Sequence, residues 1–528
     1  MARFVRSLCH NLVLRRGGAC RVLSRFSVPD AAACLFIGKG VAMAARQRTR
    51  YARRVARRRS GAKAAALLCA IALLAGGWVV ADIYDVVPGR LTMAPLPPQP
   101  NPFPDIPGAV PVAEPISAIM PGLSPDAAIP PASQVQALIA TMLADPRMGP
   151  HVGVLVQDQL TGEVLGENNQ WSAFTPASTQ KLLTGVAAFY ELDPEARLAT
   201  VVRQDGSRLI LVGGGDMLLS PGEGRPNQID EHAGIWDLAA ATAAQLSLQG
   251  RTEVYVEFDD TLFADPRIAP AVPPGEQRIF VAPVASMAVN QARVDLEIKS
   301  DSAPRVADPA LRTAEIFVEA LQAHGITVDG RPARVAGTTE HVTELARVES
   351  APTGEIIEWA MQRSDNTITE VLGRLVALHL GLPTTNNGAI EAVKTVIERL
   401  GVNMAGAGLV DLSGLGRGSQ LNPNQLVEVV DVAVSGPPML RDLANGMPIA
   451  GLSGTLATRF VGQEFGTGLV RAKTGSLPGV TALAGTVVTA NGRLLLFTVV
   501  ADETPGPGQW GARQAMDQFV TGLAALGQ

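Results

Sequence analysis

The 528-residue chain has very few residues that could build a disulfide or a metal site. Its four cysteines, Cys9, Cys20, Cys34 and Cys69, all precede residue 70. The remainder therefore has no thiol for a disulfide or a thiolate metal site, and its fold must rest on packing alone. The six histidines are scattered singly and form no H-x-x-x-H pair, so the common zinc motif is absent. We expect no metal.

Other familiar catalytic and cofactor signals are missing as well. No serine is enclosed by a G-x-S-x-G elbow. The glycine-rich run Gly213-Gly214-Gly215-Asp216 lacks the sixth-position glycine of a dinucleotide loop, so a tight turn explains it better. We therefore expect no cofactor.

Positive charge is scarce in most of the chain. Residues 1–63 hold 16 of the 44 lysines and arginines and one acidic residue, Asp30, which leaves a net charge of about −20 on the rest. Phosphate backbones repel such a surface, and no basic stripe is interleaved with aromatic residues. Nucleic acid is therefore not an expected partner.

The N-terminal basic cluster has another explanation. It leads into the uncharged run 64–81, AAALLCAIALLAGGWVVA, which is just long enough to cross the hydrocarbon core of a bilayer. Positive charge before a span places the N-terminus inside the cell. We predict that residues 1–63 are a cytoplasmic arm, that 64–81 are a transmembrane signal anchor, and that the catalytic part is extracytoplasmic at the cell membrane.

Two alternatives to this N-terminal assignment remain open. Cleavage near Val79-Val80-Ala81 would release a secreted protein, because small residues there could serve as a signal-peptidase site. Met43 would also be a more conventional start for the basic region than Met1.

A proline-rich segment follows the predicted anchor. Thirteen prolines fall between positions 95 and 131, and this density disfavours helices and sheets. We interpret residues 82–131 as a linker, either a semi-rigid extended spacer or a plain disordered tether.

Three short motifs carry the chemistry, in this order: Ser178-Thr179-Gln180-Lys181, Ser364-Asp365-Asn366 and Lys473-Thr474-Gly475. The first is weak alone, since Ser60-Gly61-Ala62-Lys63 also matches S-x-x-K. The conjunction of all three is what indicates a serine acyl-transfer site.

Local sequence places the first motif at the start of a helix. Thr175 suits a capping position, Pro176 suits the first turn, and an apolar pattern follows Lys181. Ser178 and Lys181 would then share one face. Lys181 can act as the base for the Ser178 hydroxyl if burial and the charge of Lys473 keep it neutral.

The remaining residues fill the other roles of such a site. We predict that Ser364 relays the proton to the leaving amine and that Asn366 orients Lys181 and the substrate amide. Lys473 and Thr474 suit a terminal carboxylate, and Gly475 permits close approach of the substrate. The N–H groups of Ser178 and Ser476 are candidate oxyanion donors. Asp365 is interpreted as a turn residue.

Periodicity predicts the surrounding elements. A helix is expected over 134–143, a hairpin over 152–156 and 163–165, strands at 209–212, 253–258 and 294–299, a hairpin over 480–489 and 493–500, and a helix over 510–526. The predicted catalytic domain comprises residues 132–198 and 350–528, and residues 199–349 form a domain inserted between the first two motifs.

With these motifs the chain resembles the class C low-molecular-weight penicillin-binding proteins, which are D-alanyl-D-alanine carboxypeptidases and endopeptidases. Further similar stretches are Leu211 to Asp216, Asp411-Leu412-Ser413-Gly414-Leu415, Gly454-Thr455-Leu456 with Arg459-Phe460, and Ser476 with the hairpin after it. The resemblance implies an α/β (α+β) serine-β-lactamase-like fold, in which helices flank an antiparallel sheet.

The resemblance also implies a function. Ser178 would be acylated by the penultimate D-alanine of a peptidoglycan stem peptide, water would release the shortened peptide, and β-lactams would acylate the same serine. Cleavage of cross-links stays open.

Two other functions share parts of the pattern. A β-lactamase would share all three motifs, but no Glu-x-x-x-Asn element lies between Asn366 and Lys473. The other alternative is a non-catalytic scaffold that binds the cell wall.

Overall fold

The structure is a computed structural model that describes residues 123–528 except 299, 301, 338–341, 464 and 507–508. The predicted cytoplasmic arm, the predicted anchor and residues 82–122 of the predicted linker lie outside the described residues. Residues 123–131 contain no helix or strand. Within the part that is described, no helix combines the length and the apolar character needed to cross a membrane.

The elements are numbered in chain order. The first segment contains α1 (Ala132–Leu143), β1 (Val152–Asp158), β2 (Val164–Asn168) and α2 (Lys181–Glu191). The middle segment contains β3 (Arg197–Asp205), β4 (Arg208–Gly213), β5 (Asp216–Leu219), α3 (Ile235–Leu248), β6 (Glu253–Asp259), β7 (Met287–Val289), α4 (Pro309–Ala323), β8 (Thr327–Val328), β9 (Ala333–Val335) and β10 (Thr343–Pro352). The last segment contains α5 (Thr353–Arg363), α6 (Asn366–His379), α7 (Asn386–Arg399), α8 (Pro423–Ser435), α9 (Leu440–Gly446), β11 (Val470–Leu477), β12 (Val480–Val488), β13 (Leu494–Ala501) and α10 (Trp510–Ala524).

The two ends of the described chain build one five-stranded sheet in the order β11-β12-β13-β1-β2. Every neighbouring pair is antiparallel; for example, Val156 lies opposite Phe497, and Lys473 lies opposite Ala484. The strand that carries the third motif, β11, is therefore at an edge of this sheet.

Side chains of this sheet alternate between two cores, as the pleat of a strand requires. On one face, Val154 and Phe497 pack with α1 and α10. On the other face, Leu155 and Leu496 belong to the core that contains the apolar side of α2. The predicted class, an antiparallel sheet flanked by helices, is confirmed.

Residues 197–352 build a second sheet in the order β10-β3-β4-β6-β8, with β9 also paired to β6. Its entering and leaving strands, β3 and β10, are antiparallel neighbours, with Thr200 opposite Val348. The chain therefore enters and leaves this sheet side by side. All described residues form one compact unit, so the boundaries of an inserted domain at 199 and 349 stay a prediction.

Most of the predicted elements are present. The helices expected at 134–143 and 510–526 correspond to α1 and α10, and the two expected hairpins correspond to β1–β2 and β12–β13. Strands at 209–212 and 253–258 correspond to β4 and β6. A bend at Gly214 and Gly215 joins β4 to β5, as expected for the glycine-rich run.

The strand predicted over 294–299 is wrong for its described residues, 294–298. This segment lies in a loop closed by an isolated bridge between Arg293 and Arg305. Val294 and Ile298 are 59% and 44% exposed, so the alternating pattern has no buried face to occupy.

Candidate active site

Ser178 lies in a short 3-10 turn, Ala177–Gln180, that continues directly into α2. The predicted position at a helix start is therefore confirmed. The predicted cap at Thr175 is wrong, because Pro176 precedes the turn and no side chain caps it. The backbone N–H of Thr175 instead donates to Asp502 Oδ2 at 2.9 Å, which ties the approach to the turn to the end of β13.

Two glycines allow other segments to approach this turn. A Cβ atom on Gly414 would lie 2.0 Å from the carbonyl oxygen of Ala177, and one on Gly475 would lie 2.7 Å from that of Pro176. Real Cβ atoms do not come so close to a carbonyl oxygen. Edge strand β11 and the loop at Gly414 therefore pack directly against the Ser178 turn.

Lys181 is fully buried beneath Ser178. Its Nζ atom lies 2.9 Å from Ser178 Oγ, 2.7 Å from Asn366 Oδ1 and 2.6 Å from the carbonyl oxygen of Ser413. A neutral amine in this position can donate two hydrogens to Asn366 and Ser413 and direct its lone pair at the Ser178 hydroxyl. This geometry suits proton transfer from serine to lysine.

The loop that supplies the Ser413 carbonyl is held by two buried acids. Glu370 Oε1 accepts hydrogen bonds from the N–H groups of Leu412 and Ser413, each at 3.0 Å. The Asp411 carboxylate accepts those of Gly414 and Gly416, at 2.9 and 2.6 Å. These contacts fix the carbonyl that positions Lys181.

Burial lowers the pKa of Lys181 to about 8, against the opposite effect of the carboxylates of Asp411, Asp365 and Glu370. The shift has the predicted direction, and burial is its largest cause. The sequence also predicted that the charge of Lys473 lowers the pKa of Lys181, but Lys473 is not among the groups that shift it. The effect acts in the other direction, from Lys181 on Lys473. Burial and then the charge of Lys181 lower the Lys473 pKa well below its ordinary value.

The second motif lies at the joint between α5 and α6. Ser364 ends α5 in the left-handed region at φ 57°, and the Asp365 side chain caps α6 by accepting the N–H of Ile368 at 2.7 Å. Asp365, which the sequence analysis interpreted as a turn residue, is therefore a helix cap. Asn366 begins α6, and its Nδ2 donates to the carbonyl oxygen of Phe280 at 2.8 Å.

The third motif contacts the second through the side chain of Lys473. Lys473 is fully buried, and its Nζ donates to Ser364 Oγ at 2.7 Å and to the Thr474 carbonyl oxygen at 3.0 Å. Thr474 Oγ1 donates to Thr455 Oγ1 at 3.0 Å. Two linked groups result, one of Ser178, Lys181 and Asn366 and one of Ser364 and Lys473.

A cavity of about 300 Å³ opens above these groups. Residues from all three motifs line it, together with residues from outside the motifs. The lining consists of Ser178, Ser364, Thr455, Arg459, Thr474, Ser476 and Arg513. The structure therefore brings all eight predicted site residues together: five by the contacts above, Thr474 and Ser476 in the lining, and Gly475 against the Ser178 turn.

Several residues at the site were not predicted from local sequence. Ser413 and Phe280 contribute backbone carbonyls, which leave no signature in residue type. Thr455 and Arg459 belong to stretches already noted as similar to the penicillin-binding proteins. Arg513 lies on α10 and belongs to no motif. Within the described residues, no group of three or more His, Cys, Asp or Glu side chains is arranged to hold a metal ion.

Comparison with known proteins decides the family. The sequence model described as D-Ala-D-Ala carboxypeptidase 3 (S13) family matches residues 135–304 and 299–523. The chain belongs to this family. The S13 assignment confirms the resemblance seen in the motifs and makes the protein a serine hydrolase of the D-alanyl-D-alanine carboxypeptidase family.

Individual relatives of this S13 protein agree. Carboxypeptidase Rv3627c of Mycobacterium tuberculosis is 34% identical over 441 residues, which cover 81% of this chain and 89% of that protein. Carboxypeptidase DacB of Mycolicibacterium smegmatis is 34% identical over 431 residues, covering 79% and 90%. The crystal structure of penicillin binding protein 4 (dacB) from Haemophilus influenzae superposes with a TM-score of 0.62 at 20% identity, covering 72% of this chain and 97% of that one. This similarity shows the fold.

The approach of β11 to the Ser178 turn gives a testable prediction. Gly475→Ala should lower the free energy of unfolding by about 1–3 kcal/mol, because its Cβ overlaps the Pro176 carbonyl oxygen. Urea unfolding measures the change. Gly275→Ala is the control, since a Cβ there meets nothing within 4 Å. Equal stability of the two variants would contradict the close packing.

Proposed function

We propose that this protein removes the terminal D-alanine from peptidoglycan stem peptides through an acyl-enzyme on Ser178. The observation that carries the proposal is the 2.9 Å contact between Ser178 Oγ and the buried Lys181 amine, whose pKa is about 8. An amine with this pKa is partly neutral near neutral pH and can accept the serine proton. The S13 relatives named as carboxypeptidases support the same reaction.

In the first step, Lys181 takes the proton of Ser178 Oγ while that oxygen bonds to the carbonyl carbon of the penultimate D-alanine. Asn366 and the Ser413 carbonyl hold the amine in line, at 2.7 and 2.6 Å. Because Ser178 is only partly buried, the substrate can reach its hydroxyl through the cavity.

The oxyanion that develops needs donors, and edge strand β11 can supply one. The Ala472 N–H donates to Pro448 O, away from β12. Because N–H directions repeat every second residue, the Ser476 N–H points to the same open edge. We assign the oxyanion donors to the N–H groups of Ser476 and Ser178. Such a donor typically contributes about a hundredfold or more in rate.

The C–N bond then breaks, and the proton that Lys181 took from Ser178 passes through the Ser364 hydroxyl to the leaving amine of D-alanine, which returns Lys181 to its neutral form. Lys473 donates to Ser364 Oγ at 2.7 Å and so orients this hydroxyl toward the relay. Water enters next and gives a proton to Lys181 as its oxygen attacks the ester carbonyl carbon. The ester C–O bond then breaks, that proton returns to Ser178 Oγ across the 2.9 Å contact, and the shortened peptide leaves. Thr474, Gly475 and Ser476 form the wall along which the substrate lies.

Two extensions of this chemistry follow. β-Lactams carry a reactive amide and would acylate Ser178 in the same way. The enzyme would also cut a cross-link if the cavity admits a larger leaving amine. Incubation with defined muropeptides, followed by mass spectrometry, distinguishes D-alanine release from loss of cross-links.

Labelling with a fluorescent penicillin tests the proposed acyl-enzyme. The wild-type protein should form a stable adduct that maps to Ser178, and Ser178→Ala should form none. Lys181→Gln should slow acylation by about 10²–10⁴-fold, because the general base is lost. Rapid turnover of the label would indicate a β-lactamase, and absence of any label would indicate a non-catalytic scaffold.

The Lys181 pKa sets an expected pH dependence. Below about pH 8 the amine is protonated and cannot act as a base, so the second-order rate constant for acylation should fall about tenfold per pH unit. Above that value the rate should level off. Stopped-flow acylation between pH 6 and 9.5 measures the profile. A rate that is flat across this range would rule out Lys181 as the titrating base.

We also propose that residues 64–81 anchor the enzyme in the cell membrane with the catalytic part outside the cytoplasm. The uncharged run and the preceding basic residues support this. A C-terminally tagged protein should sediment with membranes, and deletion of residues 64–81 should abolish this. Recovery of full-length protein in the soluble fraction would contradict the anchor, whereas a secreted product without residues 1–81 would show cleavage instead.

A further inference from the structure

The start of α6, which carries the second motif, is hydrogen-bonded to one distant segment of the chain, residues 280–292. Asn366 Nδ2 donates to the Phe280 carbonyl oxygen at 2.8 Å, and the N–H of Ala282 donates to Thr367 Oγ1 at 2.9 Å. Both partners in the segment are backbone groups. The path of the segment therefore fixes two consecutive residues of the helix.

A third contact between the two parts joins side chains on both sides. Gln291 Nε2 donates to Asp365 Oδ2 at 2.5 Å, and both residues are buried. The other amide atom, Gln291 Oε1, is buried without a hydrogen-bond partner among the described residues. A buried acceptor without a donor is unfavourable. The amide therefore keeps this orientation because a carboxylate oxygen can only accept, and Nε2 is its donor.

Gln291 reaches the second motif from a turn with an unfavourable backbone. Asn290, Gln291 and Ala292 have φ angles of 47°, 55° and 60°, in the left-handed region that L-residues rarely occupy in succession. The Asn290 side chain holds the turn, since Oδ1 accepts from Arg293 Nη1 at 2.7 Å and Nδ2 donates to the Leu296 carbonyl oxygen at 2.9 Å. Such backbone persists only where its surroundings fix it, and it is concentrated at functional sites.

Asp365 passes this contact on to the site because it lies between Ser364 and Asn366. Its second carboxylate oxygen caps α6, so the side chain is held at both oxygens. Asn366 Oδ1 lies 2.7 Å from Lys181 Nζ, and Ser364 has a left-handed φ of 57° at the end of α5. A shift of the Asp365 side chain would therefore turn both neighbours relative to the Lys181 amine.

We propose that Gln291 is a positioning residue for the acylation of Ser178. Through Asp365 it sets the orientation of Ser364 and Asn366. This inference rests on the proposed function, because acylation is the step that the orientation serves. Gln291 does not line the cavity above Ser178, so it acts through the second motif and not on the substrate. Its loss should slow the acylation step and leave substrate affinity in place.

Stopped-flow acylation by a fluorescent penicillin tests this role. Rates at increasing concentrations separate the Kd of the first complex from the rate constant of acylation. Gln291→Leu keeps the size of the side chain and removes the N–H donor. It should lower the acylation rate constant by about tenfold to a hundredfold and leave Kd within about threefold, because the buried Asp365 carboxylate loses a hydrogen bond.

A complementary pair of substitutions distinguishes the hydrogen bond from simple packing. Gln291→Glu alone opposes two carboxylates and should slow acylation at least as much as Gln291→Leu. Combined with Asp365→Asn, it exchanges donor and acceptor between the two positions and keeps the net charge. The new amide can still cap α6 with its oxygen. The acylation rate constant of the double variant should therefore return to within about threefold of the wild type.

Gln425→Leu is the matched control. Gln425 is also buried, and its Nε2 donates to the carbonyl oxygens of Asn403 and Ala405, each at 3.1 Å and outside the three motifs. The substitution should lower the midpoint of thermal unfolding and leave the acylation rate constant within about twofold of the wild type. Thermal unfolding of all variants shows which of them are folded.

The outcomes separate this inference from the proposed function. A Gln291→Leu rate constant within twofold of the wild type would overturn the inference, as would equal slowing in Gln425→Leu. If Gln291→Leu does not fold, the complementary pair decides, and a pair that is unfolded or slow overturns the inference. In each case a wild-type protein labelled at Ser178 leaves the proposed function standing. A wild-type protein that is not labelled would refute the proposed function itself.

Discussion

The site depends on one buried amine. Lys181 lies beneath Ser178 without access to solvent, and its hydrogen bonds join the Ser178 turn, α6 and the loop at Ser413. Burial disfavours the charged form of a lysine, while hydrogen-bond acceptors around it hold the amine in place. The same packing therefore positions the amine and favours its neutral form, as the proposed role of a general base requires. Displacement of any of the three segments would open the amine to water.

The fold buries this amine by bringing distant parts of the chain together. The N-terminal hairpin β1–β2 and the C-terminal strands β11–β13 share one sheet, and α2 and α6 pack on the same face of it. β11 is left at the edge, where it can offer backbone donors to an extended substrate. Residues 197–352 add a second sheet and also contribute Phe280, whose carbonyl oxygen accepts from Asn366. Residues 197–352 therefore help to hold the side-chain amide of Asn366.

The sequence alone predicts those site residues whose side chains have a specific chemistry. Ser178, Lys181 and Lys473 could be predicted because hydroxyl and amine groups in that order are rarely combined. Ser413 and Phe280 could not, since any residue carries a carbonyl and only tertiary packing decides where it points. The strand expected at 294–299 failed for a related reason: alternation predicts a strand only where a partner offers a buried face. Arg513 was missed because a single arginine on a helix has no distinguishing pattern.

The pKa of Lys181 is the most direct test of this account, because the role of the base follows from it. Lysine labelled with ¹³C at Cε gives one NMR signal per side chain, and only three other lysines follow residue 63: Lys299, Lys394 and Lys473. Assignment through Lys181→Arg identifies the signal, which can then be followed from pH 6 to 11. The buried Lys181 amine should show a transition near pH 8. A transition near 10.5, the ordinary value for lysine, would show that burial does not lower the Lys181 pKa. That result would contradict the proposal that Lys181 is the general base.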